Sequence, residues 1–225
     1  MKFGCIVSDN PWFFQDKLTM SKTKRGAESQ YSVLSDQDII NLPVKDIADN
    51  DSVLVNWVPG SKLEAGMNCC KNWGFNVVQD FVWVKTKKDP LKPLLKQILK
   101  TIKTEDPKEF NSIITAKFDE FVLDDILAFY MGHCFRQTHE ICLVGTRGKY
   151  TKLLKNKSQR SVCLGPIGKH SEKPEALQDR LDIMFPDVRK CELFARRIRP
   201  GWECIGNESP QTLGEDIRIS LEKLK

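Results

Sequence analysis

Apolar residues along this chain gather into strand-length runs separated by segments of helical spacing. The run Lys2 to Ser8 is apolar and β-branched toward its end, which predicts a first strand. It leads straight into Asp9-Asn10-Pro11-Trp12. Pro11 cannot continue a ladder and keeps Asn10 out of the helical region, so the tetrapeptide reads as an extended turn at a strand's C-terminal end. Residues 13–30 are polar and basic and predict a long loop, a kind of segment that often serves as a lid. Ser35 opens a short helix ending before Pro43, 52–57 reads as a buried strand, and 62–73 as a helix stopped by Gly74. Val and aromatic residues alternate over 75–85, the pattern of a strand. Strand, helix and strand at this spacing form a βαβ unit and imply a mostly parallel sheet.

Residues 88–131 depart from that rhythm. Leu91, Leu94, Leu95, Ile98, Leu99 and Ile102 recur at helical spacing, with lysines opposite. A break at 104–108 precedes a second, more acidic helical stretch, so the segment reads as an inserted helical hairpin. Three uses are open to it: an amphipathic cover on a sheet edge, a basic surface on nucleic-acid backbone through Lys92, Lys96 and Lys100, or a membrane-surface helix. Strands are then predicted at 140–146, 162–164, 190–196 and 202–205. A helix from Pro174 to Met184 and a closing amphipathic helix over 213–224 complete an α/β chain. The expectation is a single domain, 1–225, with its helical insertion at about 88–131.

With 225 residues, 40% of them hydrophobic and 29% charged, the chain has the composition of a soluble globular domain. No apolar run approaches the roughly 18 residues that span a bilayer, and the N-terminus does not read as a secretory signal. The net charge of +5 is compatible with a nucleic-acid partner without being diagnostic. Lysines crowd residues 85–103 and a second basic stretch covers 147–160; both also read as solvated faces. The eight cysteines include no C-x-x-C pair, and several sit in apolar runs, which points to a reducing, cytoplasmic setting. His133, Cys134, His139 and Cys142 match no common structural zinc spacing, and no metal is expected.

The tetrapeptide carries candidate chemistry. An adenine amino group is a poor nucleophile because its lone pair is delocalised into the ring. Methylating it requires two acceptors for its hydrogens, so that the lone pair faces the methyl donor, and a platform for the base. The Asp9 carboxylate supplies one acceptor, the Asn10 carbonyl the other, Pro11 fixes that carbonyl and Trp12 offers a stacking face. These parts stand in order at a strand end, where open α/β sheets place ligands. The alternative is a capped turn with a buried Trp.

Motifs further on favour the first reading. His170-Ser171-Glu172-Lys173-Pro174, Glu192-Leu193-Phe194-Ala195-Arg196-Arg197, Arg199-Pro200-Gly201-Trp202 and Gly206-Asn207-Glu208 together resemble the C-terminal signature of the MT-A70 family. Trp83-Val84-Lys85-Thr86 resembles its central strand. Arg136, His139-Glu140 and Leu143 to Gly148 resemble its second active-site loop and following strand. The likeness spans most of the chain except roughly 88–127. It implies a Rossmann-like methyltransferase with permuted motif order, using S-adenosylmethionine to modify the N6 amino group of adenine in nucleic acid. The short chain is most similar to the bacterial and phage branch, which implies DNA, with RNA as the alternative. A catalytically silent, nucleic-acid-binding subunit of a methyltransferase complex is the rival reading, and a homodimer or heterodimer is possible.

The resemblance also implies residue roles. Asp9 and the Asn10 carbonyl would hold the target amine, Pro11 would line the donor's methionine end, and Trp12 would stack near the base. His170, Ser171, Lys173, Arg196, Asn207 and Glu208 would surround the donor. Tyr31, Arg136 and His139 would lie on the acceptor side. Three departures stand out: the family usually reads Asp-Pro-Pro-Trp where this chain has Asn10, the segment it often carries before the catalytic strand is almost absent, and the 88–127 insertion is longer than the usual connection. The second implies weaker donor binding, or binding completed by a partner.

Overall fold

The computed structural model describes residues 2–14, 34–101, 106–119, 123–130, 132, 134–168 and 172–225. Its elements run β1 (Phe3–Asp9), α1 (Asp36–Ile40), β2 (Ala48–Val58), α2 (Leu63–Asn72), β3 (Asn76–Thr86), α3 (Lys92–Thr101) and α4 (Pro107–Asp119). Then follow β4 (His139–Arg147), β5 (Val162–Pro166), α5 (Ala176–Met184), β6 (Lys190–Leu193), β7 (Trp202–Ile205) and α6 (Ile217–Leu224). Hydrogen bonding orders these strands β5-β3-β4-β2-β1-β6-β7. The pairs β1–β2, β1–β6, β6–β7 and β3–β5 are parallel, and β2–β4 is antiparallel. The mostly parallel, Rossmann-like α/β architecture expected from the sequence is present.

Contacts group the chain into two compact units. The first comprises Met1–Phe81, Ile141–Ser161 and Gln178–Lys225. Here the chain leaves β1 for β2 on one side and returns in β6 on the other. Connections that depart in opposite directions open a crevice at the carboxyl end of the strand between them. Cys5, Ile6 and Val7 of β1 are wholly buried, as befits a strand covered on both faces. Helix α2 packs tightly on β2 because Gly66 has no side chain; a Cβ there would lie 2.6 Å from Val58 Cγ2. Ile217, Leu221 and Leu224 of α6 join Phe3, Trp12, Ile39 and Leu54 in one core cluster.

Two boundaries differ from expectation for local reasons. Strand β6 stops at Leu193, short of Arg196, because Phe194 turns into the left-handed region at φ 59°. Helix α6 begins at Ile217, later than 213, because Gly214 sits at φ 78° and Asp216 caps the helix.

The second unit comprises Val82–Glu140 and Val162–Leu177. Its β3–β5 pair is reinforced by Trp83, whose indole N–H donates to the Gly165 carbonyl at 3.0 Å. The insertion forms α3 and α4. Ile98 is buried, yet Leu91, Leu95 and Leu99 are exposed, so periodicity located α3 but only part of its apolar face is covered. Lys92, Lys96 and Lys100 are exposed. All eight cysteines are free thiols and seven of them are buried, packing as small hydrophobes.

Candidate active site

The site begins where β1 ends. Asp9 is half-buried and pairs in register with Trp57 of β2. After it the chain turns tightly, the Trp12 N–H donating to the Asn10 carbonyl at 2.9 Å. That bond uses one lone pair of the carbonyl and leaves the other for a second donor. The turn is also held from outside, since the Leu34 N–H donates to the Pro11 carbonyl.

Trp12 takes a different place from the stacking platform the sequence suggested. It is 3% exposed, lies in the core cluster, and directs its indole N–H at the Trp57 carbonyl, 3.4 Å away. A ring so enclosed has no free face for a base. The alternative reading, a turn fixed by a buried Trp, describes this conformation.

Asn10 is anchored through its side chain, which sequence reasoning missed. Ser8 Oγ donates to Asn10 Oδ1 (2.7 Å), Asn10 Nδ2 to Asn56 Oδ1 (2.8 Å), and Asn56 Nδ2 to Cys70 Sγ (3.9 Å). All four residues are buried. Buried amides are tolerated only when bonded, so this relay fixes the rotamer of Asn10 and ties the turn to β2 and α2. It restores by hydrogen bonding the rigidity that a second proline would bring. The signal was there to read: Asn56 interrupts the apolar run Val53 to Val58. Asn56→Leu is expected to cost about 1–3 kcal/mol, because the Asn10 amide loses its acceptor. Adding Asn10→Pro with Ser8→Ala removes the stranded groups and should recover most of that loss in urea unfolding. An unshifted midpoint for Asn56→Leu alone would show the relay to be idle.

Beside the turn lies an open cleft lined by Asp9, Pro11, Leu34, Phe194, Arg196, Asn207, Glu208, Asp216 and Ile217. The carboxyl ends of β1, β6 and β7 all contribute to it. Gly206 lets the chain after β7 pass over the turn after β6, since a Cβ there would lie 2.8 Å from the Ala195 carbonyl oxygen. Buried Ser209 donates from Oγ to the Cys204 carbonyl (2.6 Å), and the Gly214 N–H donates to the Asn207 carbonyl (2.7 Å). The loop bearing Asn207 and Glu208 is therefore pinned at both ends. Five of the residues singled out from sequence meet in this cleft: Asp9, Pro11, Arg196, Asn207 and Glu208. Leu34, Phe194, Asp216 and Ile217 were not foreseen.

The remaining candidates lie elsewhere. In the second unit, Glu140 is bonded by Lys85 at 2.6 Å and Lys173 at 3.3 Å. Burial pushes the Glu140 carboxyl up, but Lys173 and Lys85 outweigh it and hold the group below the usual range. Lys173 is thus part of a charge triad that its motif did not reveal. His139 is exposed at the start of β4, its carbonyl accepting from Gln137 Nε2 at 2.8 Å. Arg136 is exposed, with its guanidinium 4.6 Å from the centre of the Phe129 ring. Tyr31, His170 and Ser171 lie outside the described residues.

Comparison with known proteins adds a second line of observation. The family model described as MT-A70 matches residues 3–117 and 109–208, including much of the insertion. An N(6)-adenosine-methyltransferase MT-A70-like protein of Drosophila melanogaster is 27% identical over 209 residues, covering 92% of this chain and 27% of that protein. The human N(6)-adenosine-methyltransferase catalytic subunit METTL3 is 26% identical over 211 residues, 92% of this chain and 28% of its own length. The N6-adenosine-methyltransferase non-catalytic subunit MTB of Arabidopsis thaliana is 36% identical over 102 residues, 45% of this chain and 12% of that protein. The chain thus spans about a quarter of the length of the first two relatives.

Proposed function

The chain belongs to the MT-A70 family, and on that premise we propose that it transfers a methyl group from S-adenosylmethionine to the N6 amino group of adenine in nucleic acid. The observation that carries this reading is the meeting of Asp9 and Pro11 with Arg196, Asn207 and Glu208 in one cleft at the carboxyl ends of β1, β6 and β7. The cleft's lining combines carboxylates, an amide and a guanidinium with the apolar Leu34, Phe194 and Ile217. That mixture suits a ligand joining an amino acid, a ribose and a flat heteroaromatic base, so the residues present fit the donor. When bound, S-adenosylmethionine supplies a sulfonium methyl already activated for transfer.

The chain's own residues then position. Asp9 accepts one hydrogen of the target amine and the free lone pair of the Asn10 carbonyl accepts the other, which aims the nitrogen lone pair. Pro11 and the Asn10 relay keep that carbonyl in place, so little reorganisation accompanies reaction. Asn207 and Glu208 take ribose hydroxyls, and Arg196 takes a donor oxygen. The exposed lysines of α3 meet phosphates. A reducing, intracellular setting belongs to the same reading, in keeping with free thiols throughout.

DNA is the acceptor expected from the sequence. The relatives' names specify adenosine, which favours RNA as the second reading. Labelled donor offered with DNA and RNA pools, followed by nucleoside analysis, decides both matters. N6-methyladenine in either pool sustains the proposal. None in both, with donor still bound, would move the chain to the role of silent subunit, as in the relative named non-catalytic.

The phosphate contact has its own test. Reversing charge at Lys92, Lys96 and Lys100 should weaken nucleic-acid binding and lower the slope of log affinity against log salt by about 2–3, since each phosphate neutralised contributes roughly 0.7–0.9. An unchanged slope would remove α3 from the interface.

A further inference from the structure

The second basic stretch of the sequence, 147–160, contributes nothing to the lining of the cleft. Strand register shows where it lies. Arg147 of β4 pairs with Ser52 of β2 and Ile141 with Val58, while Asp9 of β1 pairs with Trp57. Arg147 therefore stands at the amino end of β2, roughly 17 Å from the Asp9 row at about 3.3 Å per residue. We propose that this amino end of the sheet is a second contact for the phosphate backbone of the acceptor, so that one nucleic acid is held at both ends of the strands. This rests on the proposed activity and adds a binding surface to it.

Cations from separate elements meet there in sheet order. Arg147 Nη1 donates to the carbonyl of Lys45, shortly before β2, at 3.2 Å. Lys2, just before β1, donates from Nζ to the Asp46 carbonyl. The guanidinium of Arg189, just before β6, lies 5.5 Å from the centre of the Phe3 ring. The strands concerned, β4, β2, β1 and β6, are neighbours in that order. The segment after β4 is held to the same end. The Lys149 N–H donates to Asp51 Oδ1 at 2.6 Å, beside the first paired residues of β2. Further on, Lys155 reaches Asp187, just before β6, at 3.6 Å, which fixes the stretch carrying Lys152 and Lys157.

Positive charge is in excess on this surface. Lys2 and Arg147 donate to main-chain carbonyls, which carry no net charge. Lys45, Lys149, Lys152 and Lys157 are exposed, and among the described residues no ion pair forms on them. Of the carboxylates nearby, Asp46 is paired with Lys225 at 3.3 Å and Asp187 with Lys155. Asp49 and Asp51 accept the main-chain N–H groups of Asn50 and Lys149. The kind of partner follows from what accompanies the charge. Over 141–161, and beside Lys2, Lys45 and Arg189, no large apolar side chain is exposed. A membrane-surface site would present such side chains for insertion, and a protein interface would present an apolar or aromatic centre. A phosphate backbone asks for neither; it asks for cations along a path.

At a stacked rise of about 3.4 Å per nucleotide, 17 Å takes at least about 5 nucleotides, so a shorter acceptor fills the cleft without reaching the far end. The test combines Lys149→Gln, Lys152→Gln and Lys157→Gln in the full chain and uses adenine-containing DNA and RNA pools of about 4 and about 30 nucleotides. With the long acceptor, KM should rise about 10-fold at unchanged kcat, and the slope of log affinity against log salt should fall by about 2–3. With the short acceptor, neither kcat nor KM should move. All three side chains are exposed, so thermal unfolding should match wild type. An unchanged KM and salt slope on the long acceptor overturns this surface while leaving the activity standing. An equal loss on both lengths also overturns it, because the lysines would then act at the cleft. Vesicles of equimolar phosphatidylcholine and phosphatidylserine supply the last arm. Wild-type binding to them that the triple variant loses, with the salt slope on nucleic acid unchanged, overturns the proposal in favour of a membrane surface. Wild type that neither binds nor methylates any pool overturns the proposed activity itself.

Discussion

Asp9→Ala should abolish methyl transfer, lowering kcat by at least about 10²–10³-fold, the range seen when one preorganised group facing a reacting centre is removed. The reason is geometric as well as electrostatic. The amine must shed its conjugation with the ring to attack, and it does so only while both its hydrogens are held. The Asn10 carbonyl alone leaves the amine free to rotate back into the ring plane. Asp9 is half-buried at the strand end, outside the core cluster, so thermal unfolding should stay close to wild type. Asn10→Ala makes the contrast sharp: it keeps the main-chain carbonyl and should retain more transfer than Asp9→Ala. Single-turnover rates with saturating donor measure this directly. Transfer by Asp9→Ala at the wild-type rate would remove Asp9 from the chemistry.

Trp12→Ala should destabilise the fold by about 3–5 kcal/mol, the cost of emptying a large aromatic site in a packed core. That is a large share of the 5–15 kcal/mol that separates most folded domains from their unfolded chains. Trp12 is 3% exposed among Phe3, Ile39 and Leu54, so its removal opens a void below the turn after β1. Urea unfolding reads the loss as a lower midpoint at unchanged slope. Trp12→Phe should fall between, keeping an aromatic ring but losing volume and the indole N–H directed at the Trp57 carbonyl. A stacking platform would behave in the opposite way. Stability would hold and KM for the nucleic acid would rise, which makes the two roles separable in one pair of variants.

Local pattern was a good guide wherever one residue's preference decides the outcome. Pro11 marked the turn after β1, and Gly74 stopped α2, standing at φ 85° just beyond its end. Helical spacing located α3 and the β-branched runs located the strands. Where a boundary depended on a neighbour, the pattern overshot: Phe194 carries a strand-like side chain, yet the close pass of Gly206 over the Phe194–Ala195 turn accompanies a left-handed backbone there. The candidate site divides the same way. Asp9, Pro11, Arg196, Asn207 and Glu208 were legible because each sits in a contiguous motif at a strand's carboxyl end. Asp216 and Ile217 were not, because their motif is only the start of an amphipathic helix.

By itself the sequence determined the α/β class, the family and the chemistry available in Asp9-Asn10-Pro11-Trp12, since these follow from residue type and short-range order. The tertiary structure decided where those four residues lie. Packing drew Trp12 into the core, since burying a large ring gains more than leaving it at a polar cleft. Asn56, 46 positions away, became the partner of Asn10 because parallel pairing places it beside Ser8 in register. The C-terminal helix reached the cleft through contacts of the Asn207 loop that no local spacing encodes.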